Sequence, residues 1–538
     1  MSRDGVGVSR RDFLKISGAG LAGAALLGVA GCGGGGGGQE GDGGNGGGGN
    51  ELIVGLDQEP AILNGDIVGG DLVATSNATR PMMQGVMQIM PDLSYAPLLC
   101  DGEPEITSTD PQTIEFSFLE DLTWSDGEPI TADDFVFTYE TQMNEEWQII
   151  TREIWDKIDT IETPDGPDGL AVRIIFSEPD ARWRDLFGNQ DLLPRHVLEG
   201  ENYNQFFNDE IVGSGPYVFE RWRKGQDLTV VRNENYWGEA PAIERITFRF
   251  IPDTNSLKAA LQSGEVQFIN PPPDIGLIEE LEGYSGTNVL VDFGAVWEHI
   301  AFNVEEIDNL AIRQAIALGV NREQIIEEIL QGEARALQSV LMPEQEPYAI
   351  PAWEIYGFDP DRARELVRQA EGEGASTEIE FSTTSDNTLR ETAQQVIQQQ
   401  MEDIGITITI NNSSAETFFG ERMPEGDFQM GEWAWSATPD PSITTLFAAD
   451  QVPPDGQNYY RYQNEEATEL MVESDVTIDE DARVELIQQA QEIMAEDCPL
   501  VPLYQRPEIY AFSEDLSGPE VNPTLATAFW NVGEWTMG

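Results

Sequence analysis

The chain has 538 residues, with 29 Lys plus Arg against 97 Asp plus Glu and a formal charge of −68. At about 150 residues per domain that length needs two or three cores, and repulsion from phosphates excludes nucleic acid and anionic membrane surfaces as partners. With 40% hydrophobic residues and 9% aromatics it has the apolar material of a folded protein, not of a disordered acidic one.

Along the chain, SRRDFLK (9–15) and the small-residue apolar stretch ISGAGLAGAALLGVAG precede Cys32. A basic region, a short apolar region and a processing site make a signal peptide, and the apolar run is short of the ~20 residues a spanning helix needs. Arg10 and Arg11 resemble the twin-arginine export signal, and LGVAGC resembles the lipobox of secreted lipoproteins, with Cys32 acylated. The glycine-rich run that follows reads as a flexible tether reaching roughly 23 Å, so the body sits near a membrane held by lipid only. Residues 1–31 are thus expected to be a signal and 32–50 a tether. Of the basic residues only Lys15, Lys157, Lys224 and Lys258 are lysines. A lysine-poor acidic surface, screened over about 3 Å at roughly 1 M salt, is expected of a protein from a halophile.

From Glu51 on, short strands mix with capped helices, the α/β pattern. ELIVGL, TIEFSFL, AVRIIFS, DLTVVRN and RITFRFI are the clearest strands, with period-two alternation in Ile114, Phe116 and Phe118 and in Ile246, Phe248 and Phe250. Helices concentrate after residue 300. Asn321 caps one, with Gln324 three residues on, an Ile325, Ile326, Ile329 and Leu330 stripe and Gly332 at its end. Asp359 and Pro360 open another, stopped at Gly372; a third ends at Gly405 before the strand ITITI. Cys100 and Cys498 form an exported pair that permits a disulfide, bonded and unbonded both open. His196 and His299 read as structural side chains, no cluster has metal-ligand spacing, and no cofactor is expected.

LTWSDGEPITADDFVFTYE, GSGPYVFERWRKGQDLTVVRNENYWG, APAIERITFRFIPDTNSLKAALQSGEVQFI, FNVEEIDNLAIRQAIALGVNREQIIEEIL and DFQMGEWAWSATPDPSITTLF resemble, in this order, the solute-binding proteins of peptide- and nickel-type ABC importers, the oligopeptide- and dipeptide-binding family. The resemblance covers about residues 51 to 510. It implies a two-lobe periplasmic-binding-protein clamshell, type II, of the large peptide-binding class. Its lobe I core would be 51–70 with 215–268 and 506–538, with an extra subdomain at 71–214, and lobe II would be 269–505. It also implies a monomer that closes on a solute, peptide or oligosaccharide, and docks on a permease driven by its ATPase. Closure requires that the ligand bind the closed state better.

In peptide-binding members an aspartate after a tryptophan takes the ligand's α-amino group. Here that stretch is Trp433 to Pro441, and Ser436 or Ala437 stands at the aspartate's place, so neither carries the counter-charge a buried ammonium needs. Asp440 is the nearest substitute, or a turn residue before proline. Trp433, Trp435, Trp297, Tyr459 and Tyr460 form a candidate aromatic surface for sugar rings or apolar side chains; Glu59 is a further candidate, and Asn303 reads as structural. A secreted hydrolase or a surface structural protein is the alternative from another class, but GxSxG, HExxH, a phosphate loop and repeats are all absent from the sequence.

Overall fold

A computed structural model describes residues 50–538, apart from 68–69, 71–72, 189, 206–210, 272–275, 386, 523 and 525–526. Arg10, Arg11 and Cys32, the export and acylation residues, lie outside these described residues.

An eleven-stranded sheet runs through the body in the order Thr407–Ile410, Glu378–Ser382, Met430–Ser436, Thr287–Phe302, Leu500–Ser513, Phe268–Ile269, Glu51–Leu56, Arg245–Phe250, Asp227–Arg232, Tyr217–Arg223, with Arg335–Ala336 beside Leu500–Ser513. The alternation read from the sequence decides which face is covered. Ile246 and Phe248 are wholly buried and Phe250 partly, while Arg245 and Arg249 point outward; Leu52 and Val54 on the adjoining strand are wholly buried too. Thr287–Phe302 and Leu500–Ser513 are the long crossover strands. They pair antiparallel from Thr287 with Ser513 to Ala301 with Leu500, and their register breaks between Phe293 and Trp297. Near one end their two faces serve different cores: Val289, Val291, Ile509 and Ala511 pack on the largest one, Leu290, Tyr510 and Phe512 on a second.

The largest core is built mainly from residues 297–511, with Leu257, Leu261, Leu277 and Leu281 extending it. The second joins the sheet around Glu51–Leu56 to residues 62–83 and to the C-terminal Phe529 and Trp535. A third lies on the four-stranded sheet Glu105–Thr109, Gln112–Ser117, Ala171–Phe176, Ile158–Glu162, where Phe116, Phe135 and Phe187 meet at 5.2 to 5.9 Å.

Helix ends follow local chemistry. Asn321 accepts from the Gln324 amide, Asp359 from that of Arg362 and Asn387 from that of Arg390, each cap contributing ~1 kcal/mol. Two details differ from the sequence reading. Gln324 does not reach back to Asn321; the Asn321 N–H donates instead to Gln400 Oε1 at 3.1 Å, while Gln324 bonds Glu328. The helix expected to stop at Gly372 runs Pro360–Glu373, because Gly374 takes the left-handed conformation (φ 92°) and donates to the Ala370 and Glu371 carbonyls.

The permitted disulfide is not formed. Cys100 and Cys498 are free and buried, one in the third core and one in the largest, so each thiol is a small apolar filler.

Candidate functional site

A cleft of about 610 Å³ opens between the two halves of the molecule. One wall comes from residues 65–80, 142–155 and 182–191, the other from residues 435–457. The walls touch where the Ala181 N–H donates to the Asp475 carbonyl at 2.9 Å.

The floor is set by a strand that runs out of the core. In Met430–Ser436, Trp433 and Trp435 share a face two residues apart, opposite His299 and Trp297 on the neighbouring crossover strand. Trp433 and Trp297 lie inside the sheet and are 1% and 2% exposed, whereas Trp435 sits at the strand's end and lines the cleft. Tyr459 lies parallel to the Trp435 ring, 6.0 Å away at 9°. Tyr460 is wholly buried and receives the Trp435 Nε1–H at 2.9 Å. Of the five candidate aromatics, then, Trp435 lines the cleft with Tyr459 stacked on it, and Trp433, Trp297 and Tyr460 are core residues behind it. Ile149, Ile154, Trp155, Leu186 and Leu446 add apolar lining.

Asp440 does line the cleft, but it is not a bare counter-charge. It is buried and ion-paired with Arg483. Ser436 lines the cleft as well and brings no charge. Glu59 lies elsewhere. Both its oxygens accept the Gly225 N–H at 2.9 Å and one accepts Trp222 Nε1–H at 3.0 Å, fastening the turn between strands Tyr217–Arg223 and Asp227–Arg232. Asn303 donates to the Gly426 carbonyl and accepts from the Glu305 N–H, a structural role.

The opposite wall supplies what the sequence reading missed. Asp66 accepts from the Tyr203 hydroxyl at 2.5 Å, Gln190 Nε2 at 2.9 Å and Gln142 Nε2 at 3.1 Å. Burial raises its pKa despite those three donors, and neighbouring Asp191 adds to the rise. Asp185 accepts from the Tyr95 hydroxyl; burial first, and then the charge of Asp440 across the cleft, push it up to about 7. Asp440 itself is raised by burial against the pull of Arg483, Arg182 and Arg184. Among the lining side chains five carboxyls, Asp66, Glu153, Asp185, Asp191 and Asp440, outnumber Arg80 and Arg182, an acidic excess in which Asp191 is already paired with Arg80, Glu153 with Arg182 and Asp440 with Arg483. Apart from Asp440, these acidic residues are scattered from 66 to 191 in turns and short helices, with neither periodicity nor motif spacing to announce them.

Among the described residues no His, Cys, Asp and Glu group could hold a metal ion, and no helix is long and apolar enough to cross a membrane.

Two lobes threaded by paired crossover strands, with a lined cavity where they face each other, define a clamshell solute-binding protein. The chain belongs to the bacterial extracellular solute-binding proteins, family 5, whose middle-region description matches residues 94–453. It is similar to the oligopeptide-binding protein AppA of Bacillus subtilis (strain 168), at 24% identity over 435 residues, 77% of this chain and 78% of the relative. Among solved structures, the ABC transporter substrate binding protein CtaP of Listeria monocytogenes matches with a TM-score of 0.82 at 22% identity, covering 91% of this chain and 99% of that one. A periplasmic EDTA-binding protein, EppA, matches with a TM-score of 0.80 at 23% identity, over 91% and 97%. This is a family of solute-binding proteins of ABC importers, exported to the periplasm or cell surface, that bind peptides or related ligands.

Proposed function

We propose that this protein is the substrate-binding lipoprotein of an ABC importer and that its ligand is a short peptide carrying a cationic group and apolar side chains. The observation that carries this reading is the mixed lining of the cleft: Asp66 and Asp185 lie on one wall among Ile149, Ile154, Trp155 and Leu186, and face Trp435 and Leu446 on the other. A volume of about 610 Å³ falls within the ~300–1,000 Å³ of small-ligand pockets and suits a short peptide better than a long one. The same acidic excess disfavours a polyanionic chelate such as EDTA. Trp435 with Tyr459 stacked on it favours a second reading, an oligosaccharide stacked on the indole.

The loaded, closed form would deliver its solute to a membrane permease. Lipid on Cys32 would hold a monomer at the outer face of the cytoplasmic membrane after twin-arginine export directed by Arg10 and Arg11. The acidic, lysine-poor composition fits a salt-rich exterior.

The test is a thermal-shift screen of the Cys32→Ser protein against di- and oligopeptides, their N-acetylated forms, α- and β-linked oligosaccharides and metal chelates. A ligand at about 100 times its Kd adds ~2.7 kcal/mol of stability. Stabilisation by free but not acetylated peptides is expected. Stabilisation by sugars alone would replace the peptide by the oligosaccharide, and stabilisation by chelates alone would overturn both.

A further inference from the structure

Behind the cleft floor lies a hydrogen-bonded line of three side chains. Trp435 Nε1–H donates to Tyr460 Oη at 2.9 Å, and Tyr460 Oη lies 2.7 Å from His299 Nε2. Tyr460 and His299 are both 0% exposed. His299 is gripped by rings on three sides: Trp297 at 4.9 Å, Trp433 edge-on at 5.0 Å and Tyr460 at 5.6 Å. Tyr460 is stacked in turn on Phe447 at 5.0 Å.

The direction of the line follows from what each group can do. An indole N–H only donates, so Tyr460 Oη is the acceptor of that bond. Among the described residues the acceptor that this contact offers the hydroxyl's own proton is His299 Nε2, which then presents a lone pair, so the imidazole is assigned as neutral with its proton on Nδ1. Burial, and then the positive charge of Arg390, keep His299 well below its ordinary pKa, in agreement with that state. The price is visible at the other end of the ring: Nδ1 is buried with no hydrogen-bond partner among the described residues, a cost of ~1–3 kcal/mol. An apolar side chain would fill the same space between the tryptophans without that cost, so packing alone does not account for an imidazole here.

We infer that His299 is a positioning residue for the ligand-facing indole: through Tyr460 it fixes the ring plane of Trp435, and so the orientation of the surface offered to the solute. With one face parallel to Tyr459 and its N–H edge held by Tyr460, the ring is arrested in two directions before ligand arrives. That is preorganisation, which lowers the ordering cost of binding. The inference rests on the proposed cleft only in that Trp435 faces the solute; its test needs no ligand.

The experiment is 19F NMR of the empty full-length protein labelled with 5-fluorotryptophan, the Trp435 line being assigned by its loss in Trp435→Phe. Tyr460→Phe removes one oxygen and leaves the stack, so it is the primary variant. The wild type should give one sharp Trp435 line. In Tyr460→Phe and in His299→Leu that line should split or broaden about two-fold as the ring samples a second orientation. His299→Gln, whose amide oxygen can accept the Tyr460 proton, should restore the sharp line. A single sharp line in Tyr460→Phe, or broadening in His299→Gln as large as in His299→Leu, overturns the inference. Failure of the peptide screen leaves it standing, and its own failure leaves the peptide reading standing.

Discussion

Replacing Asp185 by Asn isolates the charge that burial and Asp440 disfavour. Asp185 opens the short helix Asp185–Gly188 on the cleft wall opposite Trp435 and accepts from the Tyr95 hydroxyl, a bond that an Asn Oδ1 can also accept. The carboxyl rises from 3.8 to about 7, so between those two values the native protein holds a proton that the unfolded chain has released. Its stabilising contribution is full below about pH 4 and drains away as pH climbs to about 7, because ionisation then favours the unfolded chain. At about 1.4 kcal/mol per pH unit, the cost of the charged form reaches at most about 4 kcal/mol at pH 8. Asp185→Asn should therefore be more stable than wild type by about 1 kcal/mol near pH 4.5 and by up to about 4 kcal/mol near pH 8. Urea unfolding followed by tryptophan fluorescence, at constant salt and at both pH values, measures it. A difference that stays constant or shrinks with rising pH would refute the electrostatic reading of the cleft. A ligand ammonium seated between Asp185 and Asp440 would take the place of the proton, so peptide affinity should rise over the same interval.

Three other consequences can be measured directly. Glu298 is wholly buried between Arg390, 3.0 Å away, and Arg506 at 3.4 Å, and beside it burial first and then the Glu298 charge push Glu432 well above the usual carboxylate range; Arg390→Met should cost about 3–5 kcal/mol by leaving Glu298 underpaired, and Glu298→Gln in the same chain should recover much of it, both read by urea unfolding. Burial holds the Cys100 thiol up to about 11 and the Cys498 thiol up to about 12, so neither should react with Ellman's reagent in the native Cys32→Ser protein, both should react in denaturant, and dithiothreitol should leave Tm unchanged. With a formal charge of −68, Tm should climb as salt rises from about 0.1 M to 1 M and the screening length falls from about 10 to 3 Å; a flat response would remove the case for adaptation to salt.

What could be read in the sequence was local. Asn321, Asp359 and Gly405 mark helix ends because caps act within one turn, and strand alternation names the faces of Arg245–Phe250. The aromatic surface was legible only as a composition. Trp433 and Trp435 read alike in GEWAWS, and what separates them is where the strand leaves the core, a tertiary fact: Trp433 is packed against Phe428 and His299, Trp435 one pleat further reaches the cavity. Gly372 and Gly374 differ likewise in which of two nearby glycines the last turn reaches.

The acidic wall was illegible for a stronger reason. Asp66, Gln142, Asp185 and Gln190 become neighbours through loops that converge beside the third core, and no spacing along the chain encodes that convergence. Its position bears on the missing aspartate. A closed clamshell cleft is an enclosed volume, so a solute's ammonium can be matched by carboxylates on either wall, provided that they keep their charge when the lobes meet. Ser436 leaves one wall neutral at the expected place and Asp440 beside it is engaged with Arg483, while Asp66 and Asp185 line the wall opposite, where Asp191 is paired with Arg80. Recognition of charge then depends on closure itself. The open protein would offer the indole of Trp435 first, and the acidic wall would engage the solute only as the lobes come together, so substitutions at Trp435 should act on the encounter and substitutions at Asp66 or Asp185 on how long the closed complex lasts. Stopped-flow binding of a peptide found in the screen separates the two, and a Trp435→Ala effect confined to the dissociation rate would contradict this order of events.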